Sequence, residues 1–410
     1  MTLGIRGRRI WTTASVVFVG MAVAWSFSAA NSAILGRTWP LSSFLFDPAD
    51  RFADLTNLLM AQRQGNPYGD SVIMIYFPFT NVLLRPLVDV SRELGAGLLL
   101  SMAAGVTGCM FFICSHGLRG LAERLVVSLT FVLSYPVVFA VDRGNLEILT
   151  YVLVAAFALC WSSGRQGFAA VALSGAIAMK ATPVIFLAFL LPRRHWKYLA
   201  ICLLLVLLET LAGLLILRPA MLTSLSSMLD NLSAYNDKYA VGDAGFAFGH
   251  SLFGGAKGFV TLILGDEQRR TFSAAVFPIF VVIAIFAHAS ALVYVLRRRP
   301  GFWRGLTVLT CVSLLFMPVS ADYRLLLLLA PCALFLNERA LIRNDRLIAV
   351  LFGLAFVPKG FNFLVWESSS TVPMTLSTVL SPIVILALLI TVVWSGQVRD
   401  GYGEAGGCCP

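Results

Sequence analysis

Residues 10–33, IWTTASVVFVGMAVAWSFSAANSA, decide the fold. The run carries no charge, and as an α-helix it extends about 36 Å, enough to cross the hydrocarbon layer of a bilayer. Arg6, Arg8 and Arg9 precede it as a cytoplasmic anchor would. A signal peptide starts similarly. Here, however, the apolar part is too long and no small-residue cleavage site precedes the next loop, so the run reads as an uncleaved first helix with its N-terminus in the cytoplasm.

Working outward, comparable apolar spans recur at Ala96–Cys114, Arg124–Val141, Leu146–Trp161, Tyr198–Leu217, Phe272–Leu296, Trp303–Val319, Leu325–Leu336, Leu347–Leu364 and Leu376–Trp394. The chain of 410 residues is 58% apolar and 13% charged, with a mean hydropathy of +0.83. A soluble core cannot absorb that much apolar surface. The runs are continuous, so they predict an all-α polytopic bundle of about 10–12 transmembrane helices rather than a barrel with alternating strands. The reading is one membrane domain over residues 1–400, with a cytoplasmic tail at 401–410.

Between Phe168 and Leu191 the apolar chain is flanked by Arg165 on one side and Arg193, Arg194 and Lys197 on the other. Basic residues favour the cytoplasmic face, so this piece should enter and leave on that side and fold back near Lys180-Ala181-Thr182-Pro183. It reads as a re-entrant hairpin or as two short spans. On this topology most Lys and Arg lie inside and most Asp and Glu outside. The net charge of +10 is then a topology signal, not a nucleic-acid footprint.

Six cysteines fall in or at the ends of apolar spans and read as small apolar residues; Cys408-Cys409 sits on the Gly-rich tail. The four histidines have no zinc-like spacing, and no metal site is expected.

The polar investment lies in two long outer loops, 35–95 and 218–270. The first holds Phe46-Asp47-Pro48-Ala49-Asp50-Arg51-Phe52-Ala53-Asp54. Asp50 and Asp54 are four apart, so in a helix both carboxylates share a face, and one could serve as a general base. Asp47 and Asp50 equally suit an N-cap. Asp54 lies past the cap position, and its neighbours Phe52, Leu55 and Leu58 should bury against the membrane face. Further on, Gly65-Asn66-Pro67-Tyr68 reads as a chain reversal, and Arg85-Pro86 ends a short amphipathic helix in the interface.

The order of these elements resembles the polyprenol-phosphate-dependent glycosyltransferases of family eighty-seven, in the GT-C superfamily. The matching pieces are Asp50/Asp54, Gly65–Tyr68, Tyr76–Pro78, Asp142-Arg143-Gly144-Asn145, Lys180–Pro183, Gly249-His250-Ser251-Leu252 and Pro318–Arg324. Asn145 stands where Gln is common, and Phe79 replaces the second Pro of the usual pair.

The resemblance implies an inverting membrane hexosyltransferase, a mannosyltransferase being one option, with no cofactor. Its site would be extracytoplasmic in the plasma membrane, with both termini cytoplasmic. Asp54 or Asp50 would be the base, with Asp54 preferred. The donor would be a polyprenyl-phosphate sugar and the acceptor a glycolipid or envelope glycan, among membrane lipids. Lys180, Arg143, Arg324 and His250 are the candidate phosphate ligands, Lys180 foremost as a lone charge at the hairpin apex; Asn145, Tyr68 and Tyr323 complete the substrate-binding set. The rival readings are a non-enzymatic flippase or transporter of lipid-linked sugars, which needs no carboxylate beside the sugar, and a polysaccharide polymerase or ligase.

Overall fold

The computed structural model describes residues 2–39, 44–64, 67–69, 73–118, 120–217, 221–242, 244, 248–360 and 375–395. Gly65 and Asn66 of the expected reversal, the end of the span expected to reach Leu364, and the tail with Cys408-Cys409 lie outside the described residues. The molecule is all-α, and its one β-type contact among the described residues is an isolated bridge between Gly249 and Ala321.

The helices in chain order are α1 (Thr2–Leu35), α2 (Ala53–Arg63), α3 (Phe79–Leu84), α4 (Arg92–Cys114), α5 (Leu121–Val132), α6 (Tyr135–Arg143), α7 (Glu147–Ser162) and α8 (Gln166–Met179). They continue as α9 (Trp196–Ile216), α10 (Met221–Tyr235), α11 (Leu252–Leu264), α12 (Asp266–Arg298), α13 (Phe302–Leu315), α14 (Leu329–Asn337), α15 (Asp345–Ala355) and α16 (Ser377–Trp394).

Among the described residues, five helices are long and apolar enough to cross a membrane, and α5 with α6 makes a sixth if that bent pair is one span. Three shorter apolar helices, α7, α8 and α13, pack among them. The outside of the bundle is apolar: Leu204, Leu207, Leu208 and Leu211 of α9 are each about half exposed, a surface suited to lipid rather than water. The chain is therefore a helical integral membrane protein.

Two local features set up the site. The α5–α6 pair bends by 47° where Ser134 is extended and Pro136 opens α6, because a proline accepts the first turn of a helix and not its interior. The bend turns the C-terminus of α6, with Arg143, toward the first long loop. The expected hairpin after Arg165 is one α-helix, α8, followed by a 3-10 segment over Thr182–Phe189, with Lys180 extended at the break.

Near the start of α1, Arg9 is buried and donates to the Glu338 and Ala340 carbonyls at 2.9 and 2.8 Å while pairing with Asp345 at 3.3 Å. This arginine ties α1 to the turn before α15 as well as carrying charge. Farther along α1, Trp25 meets Phe44 edge-on with ring centroids 5.2 Å apart, where the chain enters the first long loop.

Candidate functional site

The first loop is fastened to the end of α6 by one carboxylate. Asp142 accepts from the Phe46 amide at 3.1 Å, its own carbonyl accepts from the Phe52 amide at 2.9 Å, and Arg51 lies 3.8 Å away. Phe52 adopts a left-handed conformation (φ 58°) as the chain turns into α2, a geometry that costs a bulky residue energy and persists only when neighbours hold it. Asp47 caps the 3-10 turn Pro48–Asp50, accepting from the Ala49 amide at 2.8 Å. Asp54 lies in the first turn of α2, past any cap.

Arg143 pairs with Asp54 and stands 3.6 Å from Asp50. Its guanidinium also lies 3.6 Å from the centre of the Phe46 ring. Asn145 donates to the second oxygen of Asp54 at 2.6 Å. The Asn145 carbonyl oxygen in turn accepts from the Glu147 amide at 2.9 Å and the Tyr76 hydroxyl at 3.3 Å. Gly144, between them, has φ +63°, and a Cβ there would sit 2.9 Å from Leu55 and 3.3 Å from the Phe52 backbone. Only glycine lets the loop close this tightly on α6. The Asp142–Asn145 motif thus aims two side chains at one carboxylate and pins the loop that carries it.

The return of the first loop sits on the break after α8. The Phe77 amide donates to the Met179 carbonyl at 3.0 Å, as does the Thr80 hydroxyl at 3.3 Å. Pro78 packs so closely on α9 that a Cβ at Gly213 would lie 2.3 Å from its backbone. Beside this contact, Lys180 meets Glu147 at 2.5 Å, with the glutamate fully buried. Tyr76 is buried under the Lys180 ammonium, which lies 5.3 Å from its ring centre, and burial pushes its phenol far above the ordinary range. Tyr68 is buried too, donating to the Tyr76 carbonyl at 2.8 Å.

The segment between α10 and α11, with the start of α11, closes the site. After α10 the chain winds as a π-helix over Asn236–Val241, and the buried Lys257 of α11 donates to the Ala240 and Gly242 carbonyls at 2.8 and 2.6 Å. His250 is fully buried, its ring nitrogens 3.2 Å from Asp322 and 2.8 Å from Ser320, while Tyr135 donates to Asp322 at 2.8 Å. The ring fits as a neutral imidazole that donates from Nδ1 to the carboxylate and accepts from the serine hydroxyl. Burial holds its pKa below the ordinary value against the pull of Asp322.

A cavity of about 660 Å³ lies between these parts. Asp50, Asp54, Arg143, Asn145 and Lys180 line one side; Tyr235, Lys238, Tyr239 and Lys257 line another; Phe46, Phe139, Phe248 and Tyr323 give it aromatic walls.

Of the residues singled out from sequence, Asp50, Asp54, Arg143, Asn145, Lys180 and Tyr323 converge on this cavity. Three do not line it. Tyr68 and His250 are buried in contacts of their own, and Arg324, 3% exposed, donates to the Val319 carbonyl at 3.1 Å. Two expectations need correction. Lys180 is not a lone charge, since Glu147 opposes it. Leu55 and Leu58 bury inside the protein, Leu55 against Gly95 of α4 and Gly144, rather than on a membrane face.

Glu147, Lys238 and Lys257 escaped the sequence reading. Glu147 was legible as a carboxylate inside an apolar span, where an ionisable group calls for a partner. The two lysines carried no such signal, Lys238 being hidden in a long loop and Lys257 in the middle of the apolar helix α11.

Residues 75–318, more than half of the chain, match the model of glycosyltransferase family 87. A search of curated proteins gives no match.

Proposed function

Since the chain belongs to glycosyltransferase family 87, we propose that it transfers a hexose, mannose among the candidates, from a polyprenyl-phosphate donor to a glycolipid or envelope glycan. Transfer occurs on the extracytoplasmic face of the plasma membrane, both termini are cytoplasmic, and residues 1–400 act as one membrane domain. The observation that carries the reading is Asp54: a carboxylate at a 660 Å³ cavity, held at both oxygens by Arg143 and Asn145.

In this mechanism an acceptor hydroxyl gives its proton to Asp54 as its oxygen bonds to the anomeric carbon from the face opposite the donor phosphate. The bond from that carbon to the phosphate oxygen breaks, its electron pair leaves with polyprenyl phosphate, and the configuration inverts. Negative charge grows on the leaving phosphate, so cations at the cavity lower the barrier. Lys180 and Arg143 contribute that positive field. Asp50, 55% exposed against 22% for Asp54, sits at the rim and shares Arg143. Asn145 and Arg143 orient the base, and Tyr323 with the aromatic walls offers faces on which a sugar ring can stack. His250, Arg324 and Tyr68 act behind the cavity as positioning residues.

The test is direct. Purified protein is incubated with a panel of polyprenyl-phosphate sugars and glycolipid acceptors, and release of free polyprenyl phosphate is followed. Acceptor-dependent release from at least one hexosyl donor supports the reading; release from none of them, with nucleotide sugars consumed instead, overturns it.

A further inference from the structure

Among the described residues, Arg143, Lys180, Lys238 and Lys257 line the cavity, and they differ in what already holds them. Arg143 is engaged by Asp54 and Asp50, and Lys180 by Glu147. Lys257 donates to the Ala240 and Gly242 carbonyls. Lys238 is exposed, and among the described residues the contact recorded for its ammonium is the face of Tyr239, 5.6 Å away.

Building on the lipid-linked donor reading, we propose that Lys238 is the residue that binds the donor phosphate. A phosphate approaching Arg143 or Lys180 must compete with a carboxylate in a partly buried site, and pulling that carboxylate away leaves it uncompensated. At Lys238, among the described residues, the phosphate meets an ammonium that rests on a ring face rather than on a carboxylate.

The backbone is arranged for the task. Tyr235, Lys238 and Tyr239 all line the cavity, so three and four residues along the winding the chain presents the same side. Tyr235 and Tyr239 stack with centroids 4.6 Å apart. Below, Lys257 grips the carbonyl end of the π-helix, and the Gly242 amide donates back to the Asp237 carbonyl at 2.9 Å. A π-helix is rare and often marks a functional turn. Here Lys257 fixes the frame while the exposed Lys238 side chain lines the cavity. As the bond to the anomeric carbon breaks, the phosphate goes from a diester to a monoester and gains charge, so the same ammonium serves both binding and departure.

Lys238 is exposed, so removing its charge leaves the fold intact, which keeps the test clean. The full chain in lipid nanodiscs is titrated with polyprenyl phosphate and, separately, with polyprenol, which lacks the phosphate. The wild type should prefer the phosphate, Lys238→Met should weaken phosphate binding roughly ten- to hundredfold with polyprenol unaffected, and Lys238→Arg should restore most of it. Inorganic phosphate serves as the competitor that separates a free-phosphate site from a lipid-phosphate site. If it displaces the lipid at similar concentration, the lipid specificity is wrong. A Lys238→Met protein that binds polyprenyl phosphate as the wild type does overturns the proposal while the lipid-linked donor reading stands. A wild type that does not distinguish polyprenyl phosphate from polyprenol overturns both.

Discussion

Arg143, the last residue of α6, reaches Asp54 in the first turn of α2 across 89 positions of sequence, and the two meet as an ion pair at the cavity. The same guanidinium also stands 3.6 Å from Asp50, so a single planar group lies beside two of the loop's carboxylates, Asp50 and Asp54. Lysine has one ammonium on a flexible stem and cannot hold two carboxylates in a fixed fork. Arg143→Lys should therefore fold, bind donor, and lower kcat by about 10- to 100-fold through misplacement of Asp54. Kinetics on the nanodisc protein check this; an unchanged kcat would mean that Asp54 needs no such orientation.

The Lys180–Glu147 pair predicts a particular pattern of stability. Removing one partner of a buried ion pair leaves the other charge stranded, at a cost of about 3–5 kcal/mol. Glu147→Gln and Lys180→Met should each lower the thermal unfolding temperature, whereas Glu147→Gln combined with Lys180→Met should recover much of the loss. Additive losses in the double variant would show that the two side chains do not interact as a pair.

His250 makes stability depend on pH. Burial lowers its pKa in the folded protein, with Asp322 opposing and Arg324 and Lys359 adding to the depression. An unfolded histidine titrates near about 6.5. Below that pH the unfolded chain binds a proton that the folded ring resists, so the stabilisation is complete above about 6.5 and is lost as pH falls through the window beneath it. The gap in unfolding temperature between wild type and His250→Gln should narrow from pH 7.5 toward pH 5. A gap independent of pH would contradict a neutral ring between Asp322 and Ser320.

Topology has its own test. Ala181, exposed beside the Lys180 break, should react as Ala181→Cys with an impermeant thiol reagent from the extracytoplasmic side, in a background where exposed Cys109 is replaced. Labelling only from the cytoplasm would put this break, and the cavity beside it, on the other face.

Much of this arrangement is legible in the sequence. Helical class follows from apolar runs too long and too continuous for anything else. The acidic first loop could be singled out because three carboxylates in eight residues between apolar segments have no packing role. Pairing was not legible. Nothing local at Asp54 announces Arg143, and nothing at Lys180 announces Glu147, because each contact depends on how α6 bends at Pro136 and how α8 breaks. The surroundings of His250 and Arg324 were not legible for a related reason: a basic residue in a loop carries no sign of the Asp322 carboxylate or the Val319 carbonyl that folding brings beside it. Lys238 was the converse, an unremarkable lysine until the π-helix turned it into the cavity.

The central claim is that Asp54 removes the acceptor proton. The measurement is acceptor-dependent release of polyprenyl phosphate by Asp54→Asn and Asp50→Asn, each beside its donor affinity and unfolding temperature. Asparagine keeps the size and much of the hydrogen bonding of the carboxylate but takes no proton. Asp54→Asn should lower turnover by roughly 10²–10⁴-fold with donor affinity retained, while Asp50→Asn keeps much of its activity. An Asp54→Asn protein that turns over like the wild type, with Asp50→Asn inactive at unchanged stability, would hand the role to Asp50 and contradict the account.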